Sequence, residues 1–147
     1  MGHVSGLDDL TLREMREEDR SHIVASWLNS CSKSPEFSSL RRSVFYRLYA
    51  PQVEAMLARS VVAIATKKDM VDTDAILGWM AIEGDLLHFV RTKSRPSWRR
   101  LGVARFLLAD LLPMPVRYTH QPPSWATALL PATWTYDPDA RFPKVAA

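Results

Sequence analysis

The 147-residue chain contains only one cysteine and five glycines. A lone thiol, Cys31, excludes an intramolecular disulfide framework and fits a reducing compartment, so the cytoplasm is the expected location. The scattered glycines form no Gly-x-Gly-x-x-Gly dinucleotide fingerprint, and no Walker phosphate loop is present. The histidines show no metal-ligand spacing and no Cys or Asp cluster accompanies them, which argues against zinc; no metal is expected. No apolar run approaches the roughly 18–20 residues of a membrane span. The stretch Met1-Gly2-His3-Val4-Ser5-Gly6 lacks the charged-then-apolar layout of a signal peptide. It also lacks the Ser or Thr at position 6 that myristoylation requires. Repeats, low-complexity blocks and domain linkers are missing too, so residues 1–9 are expected to fray and 10–147 to form one domain.

What is present suits a soluble globular domain: 47% hydrophobic and 24% charged residues, in a chain long enough to bury a core. The net charge is only +3, but it is unevenly spread. Arg91, Lys93, Arg95, Arg99, Arg100 and Arg105 fall within fifteen residues that include no acidic one. Such a cluster makes a positive field for an anionic ligand, either nucleic acid or a phosphorylated coenzyme. Only Trp98 lies among these charges, a poor stacking platform for single strands, so the coenzyme is favoured.

Periodicity lays out the elements. Leu10 to Met15 alternates apolar and polar residues, as a first strand does. Asp19 is placed to cap a helix whose apolar face is Ile23, Val24, Trp27, Leu28 and Cys31. After a Ser-rich loop (30–39), a second helical region carries Leu40, Val44, Phe45 and Leu48 on one side. Pro51 is expected to restart it, with Val53, Met56 and Leu57 continuing the buried face. Ser60 to Thr66 reads as a buried strand and Lys67 to Asp74 as a hairpin loop. Ala75 to Glu83 and Leu86 to Thr92 are the next strands, joined by the Gly84-Asp85 turn. A helix running from about Val103 ends at Leu112, because Pro113 and Pro115 cannot continue it. Val116 to Thr119 is a short strand, Trp125 to Leu130 a short helix, and Trp134 to Tyr136 a last strand.

Between the strand ending at Thr92 and the helix lies Arg99-Arg100-Leu101-Gly102-Val103-Ala104, of the form Arg-x-x-Gly-x-Ala. A helix start presents unpaired N–H groups and the positive end of a dipole, and Gly102 has no Cβ to hold a ligand away. Such a device binds phosphate. Strand, turn and helix together resemble the acetyl-coenzyme A motif of the GCN5-related N-acetyltransferases, and the order of elements from about Leu10 to Asp137 matches. The runs Gly78 to Glu83, Leu87 to Val90 and Thr133 to Pro138 are similar to small, often phage-borne members. One departure is the eight residues between Val90 and Arg99, more than the family usually allows; Ser94 to Ser97 reads as a small insertion. The resemblance implies an α/β (α+β) fold whose mixed, mostly antiparallel sheet is flanked by helices. It also implies that the sheet splays at the coenzyme cleft. Acetyl-coenzyme A is the implied cosubstrate. Its pantetheine arm lies along Val90, Arg91 and Thr92, and its pyrophosphate on Arg99, Arg100, Leu101, Gly102, Val103 and Ala104.

Acetyl transfer to an amine needs a positioned thioester and a base for the amine proton. Glu83 is the leading candidate for the base: it ends an apolar strand beside the motif strand, where burial is expected to raise its pKa. His88, which titrates near neutrality, is the alternative. Family members often use a tyrosine as the acid that protonates the thiolate. The expected region, Ser124 to Thr133, has none, so Tyr118 is the substitute and Tyr136 the next. The sequence therefore points to an N-acetyltransferase acting on a primary amine of a protein, small molecule or modified nucleobase. Two alternatives stay open: a nucleic-acid-binding module using the 91–105 cluster, and a catalytically silent coenzyme-binding relative.

Overall fold

A computed structural model of the chain describes residues 10–34, 36–67, 76–93, 97–120 and 130–142, with the backbone alone at 67 and 97–101. The expected fraying of 1–9, most of the 67–74 loop, the insertion at 94–96 and most of the 125–130 helix lie outside these residues. The elements are β1 (Leu10–Glu14), α1 (Arg20–Ser32), α2 (Arg42–Arg59), β2 (Val61–Lys67), β3 (Gly78–Glu83) and β4 (Leu86–Thr92). They continue with α3 (Ser97–Leu108), β5 (Arg117–Tyr118) and β6 (Thr135–Tyr136). Short 3-10 turns occupy Glu17–Asp19 and Pro138–Arg141. The six strands lie side by side in chain order. The first four pair antiparallel, whereas β4–β5 and β5–β6 are parallel. A parallel neighbour needs a crossover, and α3 supplies it between β4 and β5. This is the expected α/β class: an open, mixed, mostly antiparallel sheet flanked by helices.

Both faces of the central strands are buried, because alternate residues point to opposite sides. On one face Ile64, Trp79 and Ala81 pack under Ile23, Trp27, Phe45, Val53 and Met56 of α1 and α2. On the other, Ala65, Leu77, Met80 and Leu87 pack under Val103, Leu107 and Leu108 of α3. Among the described residues no helix is long and apolar enough to cross a membrane.

Several local expectations are corrected. Pro51 does not restart α2 but lies inside one continuous helix. Its missing N–H frees the carbonyl of Arg47; both residues are exposed, so water can satisfy that group. The buried face of α2 is Phe45, Tyr49, Val53, Met56 and Leu57, while Leu40 and Leu48 face solvent. Asp19 precedes α1 but makes no capping bond to it. Its carboxylate instead accepts from Arg13 at 2.6 Å and from the Arg16 N–H at 2.8 Å, tying β1 to the first turn. β3 begins at Gly78 rather than Ala75, and α3 ends at Leu108, four residues before the prolines act, in a run of turns. Most consequentially, α3 begins at Ser97, so Arg99 to Ala104 is helical and is not a turn ahead of the helix.

Two glycines are required for different reasons. Gly84 is the only described residue with positive φ (59°), as the first central position of a two-residue type II′ hairpin demands. A Cβ there would meet nothing within 4 Å. At Gly78 a Cβ would lie 2.8 Å from the Arg91 carbonyl oxygen and 2.9 Å from Val103 Cγ1, so α3 sits directly on the bare backbone of β3. Gly78→Ala is therefore expected to cost about 1–3 kcal/mol through overpacking. Gly84→Ala should also destabilise, because an L side chain is strained at this positive φ even though space is open around it. Urea denaturation checks both; a neutral Gly78→Ala would contradict the close packing of α3 on β3.

Candidate active site where β4 and β5 part

β5 joins β4 only at its beginning. Leu86 pairs with Arg117 and Leu87 with Tyr118, and the Thr119 N–H donates to the Leu87 carbonyl at 3.1 Å. β4 then runs on to Thr92 with no β5 partner among the described residues, so the strands part just after Leu87. The other edge of β4 is irregular at the same level. Ala81 faces Phe89 but Ile82 faces Leu87, which leaves His88 as the extra residue of a bulge. A bulge re-aims the side chain it carries.

His88 Nε2 lies 2.8 Å from Glu83 Oε1 and its Nδ1 3.1 Å from Thr119 Oγ1. Thr119 Oγ1 is also 2.8 Å from His120 Nδ1, and His120 Nε2 is hydrogen-bonded to the Tyr49 hydroxyl. Four elements thus meet through side chains: α2 by Tyr49, the segment after β5 by Thr119 and His120, β4 by His88, and β3 by Glu83. Arg59, at the end of α2, covers Glu83 with Nε 3.2 Å from both carboxylate oxygens. The same guanidinium donates to the Arg141 carbonyl at 2.8 Å. Arg141 in turn donates to the Thr119 carbonyl at 2.9 Å and pairs with Glu36. Aromatic rings enclose the inner end: His120 packs edge-on against Phe89, Trp27 and Tyr49, with ring centroids 5.5 to 6.2 Å apart.

Burial is the largest influence on Glu83 and pushes its pKa up. Hydrogen bonds from His88 and Arg59, together with their charges, outweigh it and hold the carboxyl below its ordinary value. The expected rise is thereby corrected: the strand end is polar because two donors converge there. Burial lowers the pKa of His88 despite the opposing pull of Glu83. His120 is pushed down to about 3 by burial, helped by the nearby Arg141 charge. Both rings are neutral at pH 7. Cys31, buried on α1, has its thiol pushed up to about 12 by burial, so it is not a ready nucleophile.

The structure brings Glu83 and His88 into contact and leaves Tyr118 apart. Tyr118 packs against Tyr136 with the rings tilted (centroids 5.5 Å) and joins the α3-side cluster. Val90 is half-buried on that side too, whereas Arg91 lies opposite Trp79 on the α1–α2 side. Thr92 is buried, and its hydroxyl has no hydrogen-bond partner among the described residues. Arg99, Arg100 and Leu101 fall in the first turns of α3, Gly102 is half-buried, and Val103 and Ala104 are core residues. Tyr49, Arg59, Thr119, His120 and Arg141 were not singled out in the sequence. A histidine directly after a short strand was the available signal for His120; Tyr49 lies 71 residues away from it and carried none. Among the described residues no group of His, Cys, Asp or Glu side chains has the arrangement of a metal site.

The two buried neutral histidines make the fold acid-sensitive. Their pKa values lie below the unfolded value of about 6.5, so the stability they confer is complete above that pH and declines as pH falls below it. The slope is at most about 1.4 kcal/mol per pH unit for each histidine. Urea denaturation between pH 7.5 and 5.5 should show this decline and His120→Gln should flatten it; a flat wild-type profile would contradict neutral burial.

No protein-family model and no curated protein matches the chain. Among solved structures, a possible acetyltransferase from Clostridium difficile 630 matches with a TM-score of 0.51 and 16% identity, over 80% of this chain and 83% of that one. The apo-form solution structure of YjaB from Escherichia coli matches with a TM-score of 0.49 and 23% identity, over 71% of this chain. That match spans 65%, just under two thirds, of the YjaB chain. At these identities the likeness to the Clostridium difficile protein is one of fold: a mixed sheet with helices on both faces.

Proposed function

We propose that the chain is an acetyl-coenzyme A-dependent N-acetyltransferase of the GCN5-related type, with a primary amine as acceptor. The observation that carries this reading is the parting of β4 from β5 directly ahead of the start of α3. An unpaired strand edge accepts an extended amide-bearing chain by backbone hydrogen bonds, which suits a pantetheine arm. The start of α3 leaves the N–H groups of Ser97 to Arg99 without intrahelical partners, which suits a pyrophosphate. On this proposal the phosphate contacts lie up to two residues earlier than on a turn at Arg99. The buried hydroxyl of Thr92 on the connecting strand, without a hydrogen-bond partner among the described residues, fits a polar ligand, and the half-buried Arg91 and exposed Lys93 add positive charge. The residues present therefore fit the coenzyme.

When bound, acetyl-coenzyme A supplies an activated acyl group as a thioester. The edge of β4 beyond Leu87, unpaired among the described residues, would orient it, and an N–H there would polarise the carbonyl. Glu83, an ionised carboxylate, accepts the proton lost by the amine. Tyr118 packs on the opposite face from His88, and the reading assigns no side chain to the acid, since a thiolate leaves readily.

Gly102→Val tests the reading. Valine is at least as good a helix former as glycine, so α3 should persist while a branched side chain obstructs the coenzyme. Titration calorimetry should show saturable binding of acetyl-coenzyme A by the wild type and an affinity at least ~10-fold weaker in the variant, equal to about 1.4 kcal/mol. The melting temperatures of the two should agree closely. Equal affinities would remove the proposed site from α3, and no binding by the wild type would overturn the function.

A further inference from the structure

Alternate side chains of a strand leave opposite faces, while the backbone hydrogen-bonding groups lie in the plane between them. A coenzyme held by the β4 edge and the start of α3 therefore leaves the α1–α2 face of the sheet to the second substrate. On that face Trp79, Ala81 and Glu83 of β3 form one row, with Glu83 under Arg59 of α2. Arg91 stands opposite Trp79 and Phe89 opposite Ala81, so Glu83, Phe89 and Arg91 follow one another along a line. From Glu83 to Trp79 is four residues of strand, about 13 Å. Glu83, Phe89 and Arg91 are all half-buried, so each keeps part of its surface in contact with solvent. The line runs beside the stretch of β4 that has no β5 partner among the described residues.

Arg91 is set apart by what it lacks. Arg13, Arg20, Arg59, Arg117 and Arg141, the other described arginines that are buried or half-buried, each pair with a carboxylate. Arg91 pairs with none among the described residues; its guanidinium donates to the carbonyl of Thr92, its own neighbour, at 3.3 Å. The nearby acids on the α1–α2 side are taken, Glu36 by Arg141, Glu54 by Arg20 and Glu83 by Arg59. Burial lowers the pKa of Arg91, and among the described residues no opposite charge offsets the cost. A guanidinium withdrawn from water calls for a counter-ion, and its planar fork of donors matches a carboxylate in two parallel hydrogen bonds.

We propose that the acceptor is an ω-amino acid whose carboxylate binds Arg91 and whose amine lies at Glu83. This rests on the acetyltransfer reading and names the acceptor class for it. The order of the three side chains matches such a molecule: a base at one end, apolar surface in the middle and a cation at the other end. Phe89, stacked against Trp27 and Trp79, supplies the middle, where methylene groups lie. The length of the row requires several of them between the two charged ends, so an amine next to its own carboxylate is too short. The amine end falls at the level of Leu87, where β4 and β5 part. There the amine nitrogen bonds to the acetyl carbonyl carbon, the C–S bond breaks with its electron pair on sulfur, and Glu83 takes the amine proton. The carboxylate of the acceptor stays on Arg91 throughout, so Arg91 sets specificity.

Two series of amines test this on the full-length protein with acetyl-coenzyme A: glycine, 4-aminobutyrate, 5-aminopentanoate and 6-aminohexanoate, and alkylamines of the same lengths without the carboxylate. In the wild type, kcat/KM for thiol release should rise with chain length in the first series. Its longer members should exceed the matching alkylamines at least ~10-fold, as a hydrogen-bonded charge pair gives. Arg91→Gln should erase that preference, and Arg91→Lys, which keeps the charge but loses the fork, should restore part of it. Titration calorimetry in the presence of coenzyme A should show 6-aminohexanoate binding to the wild type and at least ~10-fold more weakly to Arg91→Gln. Turnover of alkylamines as fast as of the amino acids overturns the inference and leaves the acetyltransfer reading intact; this arm needs no variant to fold. A preference that survives in Arg91→Gln, while acetyl-coenzyme A itself binds more weakly, would give Arg91 to the coenzyme and also overturn it. A wild type without turnover on any amine of either series overturns the acetyltransfer reading, and the inference with it.

Discussion

The contact between His88 and Glu83 is where backbone irregularity, electrostatics and candidate chemistry meet. One residue of β4 has no opposite number on β3, and that bulge turns His88 towards the carboxylate that ends β3. Because Glu83 can only accept, the proton on His88 is committed to Nε2, and every bond further in follows from that commitment. A neutral imidazole is tolerated in this buried position because both nitrogens are satisfied. A charged one would face the Arg59 and Arg141 guanidinium groups from two sides. The same residues hold the architecture together, since Arg59 and Arg141 tie the end of α2 and the closing turn to the segment that follows β5.

This cluster depends in turn on the sheet. β5 and β6 are two residues long, too short to stand alone; Val116 and Trp134, the residues just before them, share the buried cluster of Val103, Leu107 and Leu108 on α3. α3 reaches that position because Gly78 lets Val103 and Leu107 sit on the bare backbone of β3. The helix start on which the proposed coenzyme site rests and the core packing along the helix are therefore parts of one arrangement. Val103 and Ala104, read from the sequence as ligand-binding, are buried because their helical phase turns them towards the sheet.

The sequence carried most of the layout. Alternation in Leu10 to Glu14, the β-branched run after Ser60 and the helical spacing of Ile23, Trp27 and Cys31 reflect local periodicity, which burial enforces residue by residue. The parting of the sheet after β4 was legible only through the family resemblance. Other features were hidden because their causes are not local. Pro51 signals a helix restart when read alone, but tertiary packing carries α2 through it. The pKa of Glu83 was expected to rise because the strand around it is apolar; hydrogen bonds from His88 and from Arg59, 24 residues earlier, reverse that. Tyr118 and Thr119 are neighbours in sequence, yet strand alternation sends one to Tyr136 and the other to His88. Without a register for β5, nothing in the sequence distinguishes the two.

The most direct test of the account is to map where acetyl-coenzyme A touches the protein, by following backbone amide shifts in NMR as the ligand is added. The largest changes are expected on His88 to Lys93, on Ser97 to Gly102 and on Thr119. β1, at the far edge of the sheet, should stay still. Saturable changes concentrated elsewhere, or none at all at millimolar ligand, would contradict a coenzyme site where β4 and β5 part.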